Sequence, residues 1–216
     1  PISQESFTAA IQLYEQGLDR RLLGPDPTYA RAYSRLGDVF YYVGREYERA
    51  LTQYDRAERY GYDEPNLDYK QGFVHYRGNR LEDALREFRE AADDPSGETN
   101  ALLWATANTH YRRNNLFASE AYYRELIDRV ERERDSIRTL LVDEDRRHQS
   151  VIEYMFRGYN NLGVALYELS EQTGEPEKYS ESLVYFTLST ELAENYQRDP
   201  ATLARTDAVG LAFLNQ

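Results

Sequence analysis

The chain has no cysteine, one methionine and one tryptophan among its 216 residues. Without cysteine, the sequence excludes disulfide bonds and thiol chemistry. The same absence fits a reducing cytoplasm and a periplasm equally well, so it does not assign a compartment. No apolar run approaches the length needed to cross a bilayer, and we therefore expect no direct membrane insertion by this chain.

Basic residues are also scarce. The sequence has 26 lysines and arginines against 38 aspartates and glutamates, for a formal net charge of −12, and its pI is about 4.8. Such a balance repels nucleic acid and anionic membrane surfaces. The composition therefore favours a protein or peptide partner and argues against nucleic acid.

Tyrosine, by contrast, is abundant, with 20 residues, and much of it lies in an internal repeat. The stretch YYVGREYERALTQYDRA begins at Tyr41 and reappears as HYRGNRLEDALREFREA from His75 and as HYRRNNLFASEAYYREL from His110. The starting positions step by 34 and then 35 residues, a period typical of stacked helical hairpins. Hairpins of this length cannot bury an apolar face alone, so neighbours must stack.

The repeat predicts one all-α array over residues 1–216, with no second domain. We read the chain as a fragment of a longer protein because it starts at Pro1 without a methionine. The predicted parts are a half repeat at 1–23, hairpins at 28–64, 65–95 and 98–135, an extended hairpin with a long turn at 136–198, and a terminal helix at 200–216.

Two sets of positions resemble the tetratricopeptide repeat (TPR) family. The order aromatic, Leu, Gly, then aromatic or Leu occurs on two first helices, and small, aromatic, small spacing occurs on two second helices. The resemblance implies a right-handed superhelical array of antiparallel helix hairpins, an α-solenoid that acts as a protein–protein interaction scaffold. Fold alone does not name the partner. The residues concerned are Tyr33, Leu36, Gly37, Phe40; Tyr159, Leu162, Gly163, Leu166; Ala50, Tyr54, Ala57; and Ala84, Phe88, Ala91.

A further resemblance concerns the stretch from Tyr159 to Lys178. It is similar to late repeats of large spirochaete envelope proteins, some of which build the collar of periplasmic flagella. That resemblance implies a different function, a self-assembling structural subunit of a bacterial cell-envelope complex. It favours a periplasmic or cell-envelope location over a cytoplasmic one.

In the TPR family, the inner side of each first helix lines a concave groove. Carried over to this chain, the resemblance implies an aromatic trough with two guanidinium groups, suited to apolar or aromatic peptide side chains and a carboxylate. The implied partner-binding residues are Tyr41, Tyr69, Phe73, Tyr76, Arg77, Trp104, Asn108, Tyr111, Arg112 and Tyr167.

A one-residue shift in helix register would instead place these aromatics in the core. Trp104 and Tyr111 are seven residues apart, the family's spacing for two packing aromatics. Gly72 favours the groove register, whereas Trp104, Ala107 and Tyr111 favour the packing register, and both stay open. The lysine and asparagine pairing with which similar proteins clamp a terminal carboxylate is absent, because Ser34, Tyr69, Trp104 and Asn160 occupy the expected lysine positions.

Catalytic and metal motifs are missing. The three histidines, His75, His110 and His148, form no HxxxH or HxxE arrangement, and a packing role at equivalent repeat positions accounts for His75 and His110. There is no glycine-rich phosphate loop. We therefore expect no enzyme activity, no metal and no cofactor.

The charged stretch from Ile127 to Ser150 has two interpretations. Its carboxylates and arginines at i, i+4 spacing are typical of an exposed helix. Alternatively, a hairpin longer than its neighbours projects there and offers Leu140, Leu141 and Val142 to a partner or to a second copy, which would make the chain an oligomer.

Overall fold

A computed structural model describes residues 8–9, 11–13, 16, 27–62, 66–93, 99–140 and 145–197. All regular structure in these ranges is helical, which confirms the all-α prediction. The helices are α1 (Pro27–Val39), a π-helical turn (Phe40–Gly44), α2 (Tyr47–Arg59), α3 (Asn66–Arg77), α4 (Leu81–Asp93), α5 (Asn100–Arg112), α6 (Leu116–Leu140), α7 (Asp145–Thr173) and α8 (Pro176–Gln197).

The chain forms two compact units, residues 1–98 and 99–216. In the first unit α1 packs on α2, α2 on α3, and α3 on α4; in the second α5 packs on α6, α6 on α7, and α7 on α8. Each pair of consecutive helices joined by a short turn is a hairpin, as the repeat predicts. The predicted half repeat at 1–23 falls mostly outside the described residues, and the predicted terminal helix at 200–216 falls wholly outside them.

The repeated small and aromatic positions of the second helices form the core of the hairpins. Ala50, Ala84 and Ser119 are fully buried, and the aromatic residues four positions later are at most 1% exposed. These positions share one face of each helix because residues four apart are neighbours on a helix surface. The aromatic residues are Tyr54, Phe88 and Tyr123.

The first hairpin contains a π-helical turn that its neighbour lacks. Gly37 and Ala50 are 13 residues apart, whereas Gly72 and Ala84 are 12 apart. The turn Phe40–Gly44 takes up the additional residue, and such single π turns are frequent at functional sites. It carries Tyr41 and Tyr42 at the end of the first helix of the hairpin.

The hairpin turns use left-handed residues at corresponding positions. Arg45, Asn79 and Asn114 have φ angles of 52°, 60° and 57° and follow one another at steps of 34 and 35 residues. Asparagine tolerates this conformation, while an arginine there is strained.

The fourth hairpin has a short turn, which corrects the long turn expected within 136–198. Helix α7 continues to Thr173, Gly174 takes a φ of 73°, and α8 begins at Pro176. Glycine just after a helix and proline at the next helix start are the residues that suit these positions. The additional residues therefore lengthen the two helices instead of the loop.

Helix α6 extends to Leu140, beyond the expected end of the third hairpin at 135. The side chains of Leu140, Leu141 and Val142, which the sequence offered as a projecting contact, lie outside the described residues. None of the described helices combines the length and apolar character that a membrane span requires.

Candidate functional site

Gly72 determines which face of α3 packs against α4. An added β-carbon on Gly72 would lie 2.5 Å from ring atoms of Phe88, so only glycine allows α3 and α4 to approach this closely. With Gly72 against α4, the neighbouring Phe73 makes an edge contact with Tyr41, at 6.2 Å between ring centroids. Within the first unit this arrangement corresponds to the groove register for α3.

A cavity of about 420 Å³ opens between the end of the first hairpin and α3. This volume falls within the roughly 300–1,000 Å³ that ligand pockets occupy. Four of the predicted partner-binding residues line it, together with five that were not predicted to bind a partner. The lining consists of Tyr41, Tyr42, Arg45, Tyr47, Tyr54, Tyr69, Lys70, Phe73 and Arg77.

Aromatic rings in contact form much of the wall. Phe73 lies 5.6 Å from Tyr69 and 5.8 Å from Tyr76, measured between ring centroids, and Tyr41 lies 5.9 Å from Tyr47. These separations are those of favourable aromatic pairs. Tyr76 supports Phe73 and is not itself a lining residue.

One cation of the pocket is already neutralised. The Lys70 ammonium lies 2.9 Å from a carboxylate oxygen of Asp38 and 3.2 Å from the hydroxyl of Ser34. The Tyr54 hydroxyl donates to the same carboxylate at 2.9 Å. Burial, followed by the negative charge of Asp38, raises the pKa of Tyr54. Tyr54 therefore stays protonated and holds Asp38 in place.

The arginines at the pocket make different contacts. The Arg77 guanidinium lies 5.8 Å from the Phe73 ring centroid and donates a hydrogen bond to the Tyr41 hydroxyl. Burial raises the pKa of Tyr41, partly opposed by that hydrogen bond. Arg45 is exposed. The sequence did not indicate Arg45 as a site residue, because its place at the pocket depends on the π-helical turn that precedes it.

The predicted site residues of the second unit are largely engaged by α7. The Arg157 guanidinium lies 5.1 Å from the Trp104 ring centroid. The Asn108 side-chain oxygen accepts from the Tyr123 hydroxyl at 2.9 Å and from the Asn161 amide at 3.3 Å. Asn108 is therefore part of an internal hydrogen-bond network.

The remaining three predicted residues of the second unit differ in exposure. The Tyr111 hydroxyl donates to Glu168, and burial together with this hydrogen bond raises the pKa of Tyr111 to about 12. Tyr111 and Trp104 also pack against the buried core of this unit. Arg112 is exposed, and Tyr167 is 44% exposed, with its ring 6.2 Å from that of Tyr179. The role of all five residues as a ligand surface stays a prediction.

His75 and His110 have structural contacts within their own units. The His75 Nδ1 atom accepts from Arg80 Nε at 2.9 Å, and the His110 ring stacks on Tyr122 at 5.4 Å. In the described part of the chain, carboxylate oxygens of Asp68, Glu87 and Glu90 lie within 4.8 Å of one another. Burial, followed by neighbouring carboxylates, raises the pKa of Asp68. Nothing else at this acidic cluster points to a cation, so it carries no metal assignment.

Comparisons with known proteins agree with the repeat architecture. The tetratricopeptide repeat model matches residues 2–64, 34–98 and 69–134, and no curated protein matches the sequence. The fold is similar to the crystal structure of MamA, at 14% identity over 91% of this chain and 94% of that one, with a TM-score of 0.65. It is also similar to BtubC (BKLC) from P. vanneervenii, at 15% identity over 89% and 75% of the two chains, with a TM-score of 0.67. At these identities the likeness shows the fold alone.

Proposed function

Because the chain belongs to the tetratricopeptide repeat family, whose members bind protein or peptide partners, we propose that it is an interaction scaffold. It binds a partner peptide or domain through surfaces of aromatic and arginine residues. In the first unit the surface comprises Tyr41, Tyr69, Phe73, Tyr76 and Arg77. In the second unit it comprises Trp104, Asn108, Tyr111, Arg112 and Tyr167. The scaffold has no catalytic role in this proposal.

The cavity of the first unit is the observation that carries the proposal. Its volume of about 420 Å³ accommodates a bulky side chain, and its aromatic wall offers apolar area at little cost in conformational entropy. Surfaces of this kind, with tyrosine and arginine together, are enriched at protein interfaces. In the second unit, Tyr167 and Arg112 are the residues that present exposed surface.

A peptide library displayed on phage tests the proposal without assuming a sequence. Peptides selected on the wild-type chain are titrated against Arg77→Ala, Arg112→Ala and the matched control Arg89→Ala, an exposed arginine of α4. We expect the selected peptides to lose affinity for Arg77→Ala or Arg112→Ala and to keep it for Arg89→Ala. Selected peptides that bind all three variants as well as wild type, with unchanged circular dichroism, would contradict the proposal.

A second candidate function is self-assembly, as in the envelope-complex interpretation that includes a spirochaete flagellar collar. One observation favours it: α8 exposes Tyr179, Leu183 and Val184 by 46%, 49% and 55% of their surface. Adjacent exposed apolar residues on one helix are typical of interaction sites. The face they form is a candidate contact with a second copy.

Sedimentation equilibrium distinguishes this candidate. If the α8 face assembles, the wild-type chain forms a concentration-dependent oligomer and a Leu183→Ser/Val184→Ser variant sediments as a monomer. Thr187→Ser, at an exposed position on the same helix, is the matched control and should behave as wild type. A monomer across the accessible concentration range would exclude assembly through this face.

A further inference from the structure

The pocket of the first unit holds positive charge that carboxylates of the described residues do not neutralise. Of its three cations, Lys70 is paired with Asp38. Over the ranges that the structure describes, neither Arg45 nor Arg77 forms an ion pair with a carboxylate. This is unexpected in a chain with 38 acidic and 26 basic residues. Two arginines at one cavity that have no carboxylate partner among the described residues indicate an anionic occupant.

Local charge outweighs net charge at this site. At physiological ionic strength, exposed charges separated by more than about 8 Å are largely screened, so the overall charge of −12 has little influence on a group seated in the cavity. Guanidinium groups bind carboxylates through two parallel hydrogen bonds. Arg77 is available for such a contact, because its guanidinium lies 5.8 Å from the Phe73 ring centroid at the cavity and its side chain is exposed.

The remainder of the pocket suits an aromatic ring. Tyr41, Tyr69 and Phe73 contribute ring edges and faces, and Tyr42 adds a side chain that is 71% exposed. Offset or edge-to-face contacts with these rings would stabilise a further ring between them. A purely ionic ligand would leave this aromatic wall without a partner.

We infer that the first unit binds an acidic segment of a partner protein that carries an aromatic side chain, with the ring in the cavity and neighbouring carboxylates on Arg45 and Arg77. This inference rests on the proposed scaffold function and specifies the chemistry of its partner. It differs from capture of a terminal carboxylate by lysine, because the one lysine of the pocket is held by Asp38 and Ser34.

Four fluorescent peptides of equal length test the inference by anisotropy titration on the full chain. One is acidic with a central phenylalanine, one is acidic with alanine in its place, one is neutral with phenylalanine, and one is basic with phenylalanine. The variants are Arg45→Gln/Arg77→Gln and the control Arg59→Gln/Arg89→Gln, which removes the same charge from two exposed arginines of the same unit. Circular dichroism verifies that each variant is folded.

We expect the acidic phenylalanine peptide to bind best and to lose about tenfold or more in affinity with Arg45→Gln/Arg77→Gln but not with the control. Equal binding of the neutral or basic peptide, or binding that is insensitive to Arg45→Gln/Arg77→Gln, overturns the inference. If none of the four binds while library peptides bind in a manner sensitive to Arg77→Ala or Arg112→Ala, the inference is wrong and the scaffold proposal stands. If no library peptide binds either, both are wrong.

Discussion

Gly72 and Phe88 are in such close contact that a β-carbon on Gly72 would lie 2.5 Å from two ring carbons of Phe88. The same relationship joins Gly37 to Tyr54, at 2.4 Å, and Gly163 to Phe186, at 2.9 Å. In three of the four described hairpins, the glycine of the first helix thus receives an aromatic ring of the second. The α5/α6 hairpin has Ala107 at the corresponding position. This contact sets the distance between paired helices and, in α3, the direction of Phe73.

Substitution of Gly72 by alanine should destabilise the protein. Phe88 is 1% exposed and its ring atoms would lie 2.5 Å from the added methyl group. We expect this overpacking to cost about 1–3 kcal/mol, more than the helix propensity gained from alanine. Urea unfolding measures the change. Gly78→Ala is the control, because its nearest atom would be at 3.4 Å, and an equal loss in both variants would contradict the explanation.

Replacement of Tyr123 by phenylalanine should weaken the second unit without changing ring packing. The variant removes the Tyr123 hydroxyl, which donates a hydrogen bond to Asn108 and accepts one from the Asn161 amide. We expect a loss of about 0.5–1.5 kcal/mol in the free energy of unfolding. Tyr179→Phe, at a position that is 46% exposed, should cost much less. A Tyr123→Phe variant as stable as wild type would show that the network contributes nothing.

Glu120 should be essential to the contact between α6 and α8. Its carboxylate accepts from Lys178 at 2.6 Å and from Arg124 at 2.8 Å, and Arg124 also bonds Glu181. Burial alone would raise the pKa of Glu120, but its hydrogen bonds and ion pairs with Lys178 and Arg124 outweigh burial and lower that pKa.

We expect Glu120→Gln to cost about 1–3 kcal/mol, because the change leaves a partly buried lysine without its carboxylate. Urea unfolding at neutral pH tests this. The control is Asp135→Asn, whose ion pair with Arg134 is exposed on the aspartate side and should contribute little. Similar losses in both variants would be inconsistent with a special role for Glu120.

His75 predicts a pH dependence of stability in the first unit. Burial, followed by the positive charge of Arg80, lowers its pKa from the ordinary value of 6.5. Between the folded and the unfolded pKa the unfolded chain binds more protons, so the free energy of unfolding should fall as the pH drops through about 6.5 and level off below the folded pKa. Protonation at Nδ1 would also remove the acceptor used by Arg80.

Urea unfolding between about pH 7.5 and 5.5 measures this dependence. A His75→Gln variant should show a smaller decrease over the same interval. An NMR titration that places the pKa of His75 at or above 6.5 would refute the assignment.

Much of the repeat could be predicted because its information is local. The alanine and aromatic columns at steps of 34 and 35 residues mark one face of each second helix, and the structure buries that face. The all-α class and the hairpin pairing depend only on such periodic patterns. Turn geometry was harder to predict from the sequence. Arg45 takes a left-handed conformation that glycine or asparagine usually takes. In the fourth hairpin the helices are longer where the sequence predicted a loop.

The candidate site was predictable in part. Tyr41, Tyr69, Phe73 and Arg77 were named from the repeat alignment and line one cavity. Tyr42, Arg45, Tyr47, Tyr54 and Lys70 were not named as site residues. Tyr42 lies in the π-helical turn and Arg45 directly follows it, so their positions depend on a local change of helix type. Whether Trp104 and Tyr111 are covered depends on α7, which contacts them from more than 40 positions further along the chain.

The sequence by itself determined that this chain is a series of helical hairpins, since periodic small and aromatic residues leave each helix only one face to bury. The tertiary structure decided which side chains meet: Asp38 neutralises Lys70 from another helix, while Arg77 lies over Phe73 and is left without a carboxylate among the described residues. Asp38 and Lys70 are 32 positions apart, and the packing of one helix on the other, which no local pattern encodes, brings them together.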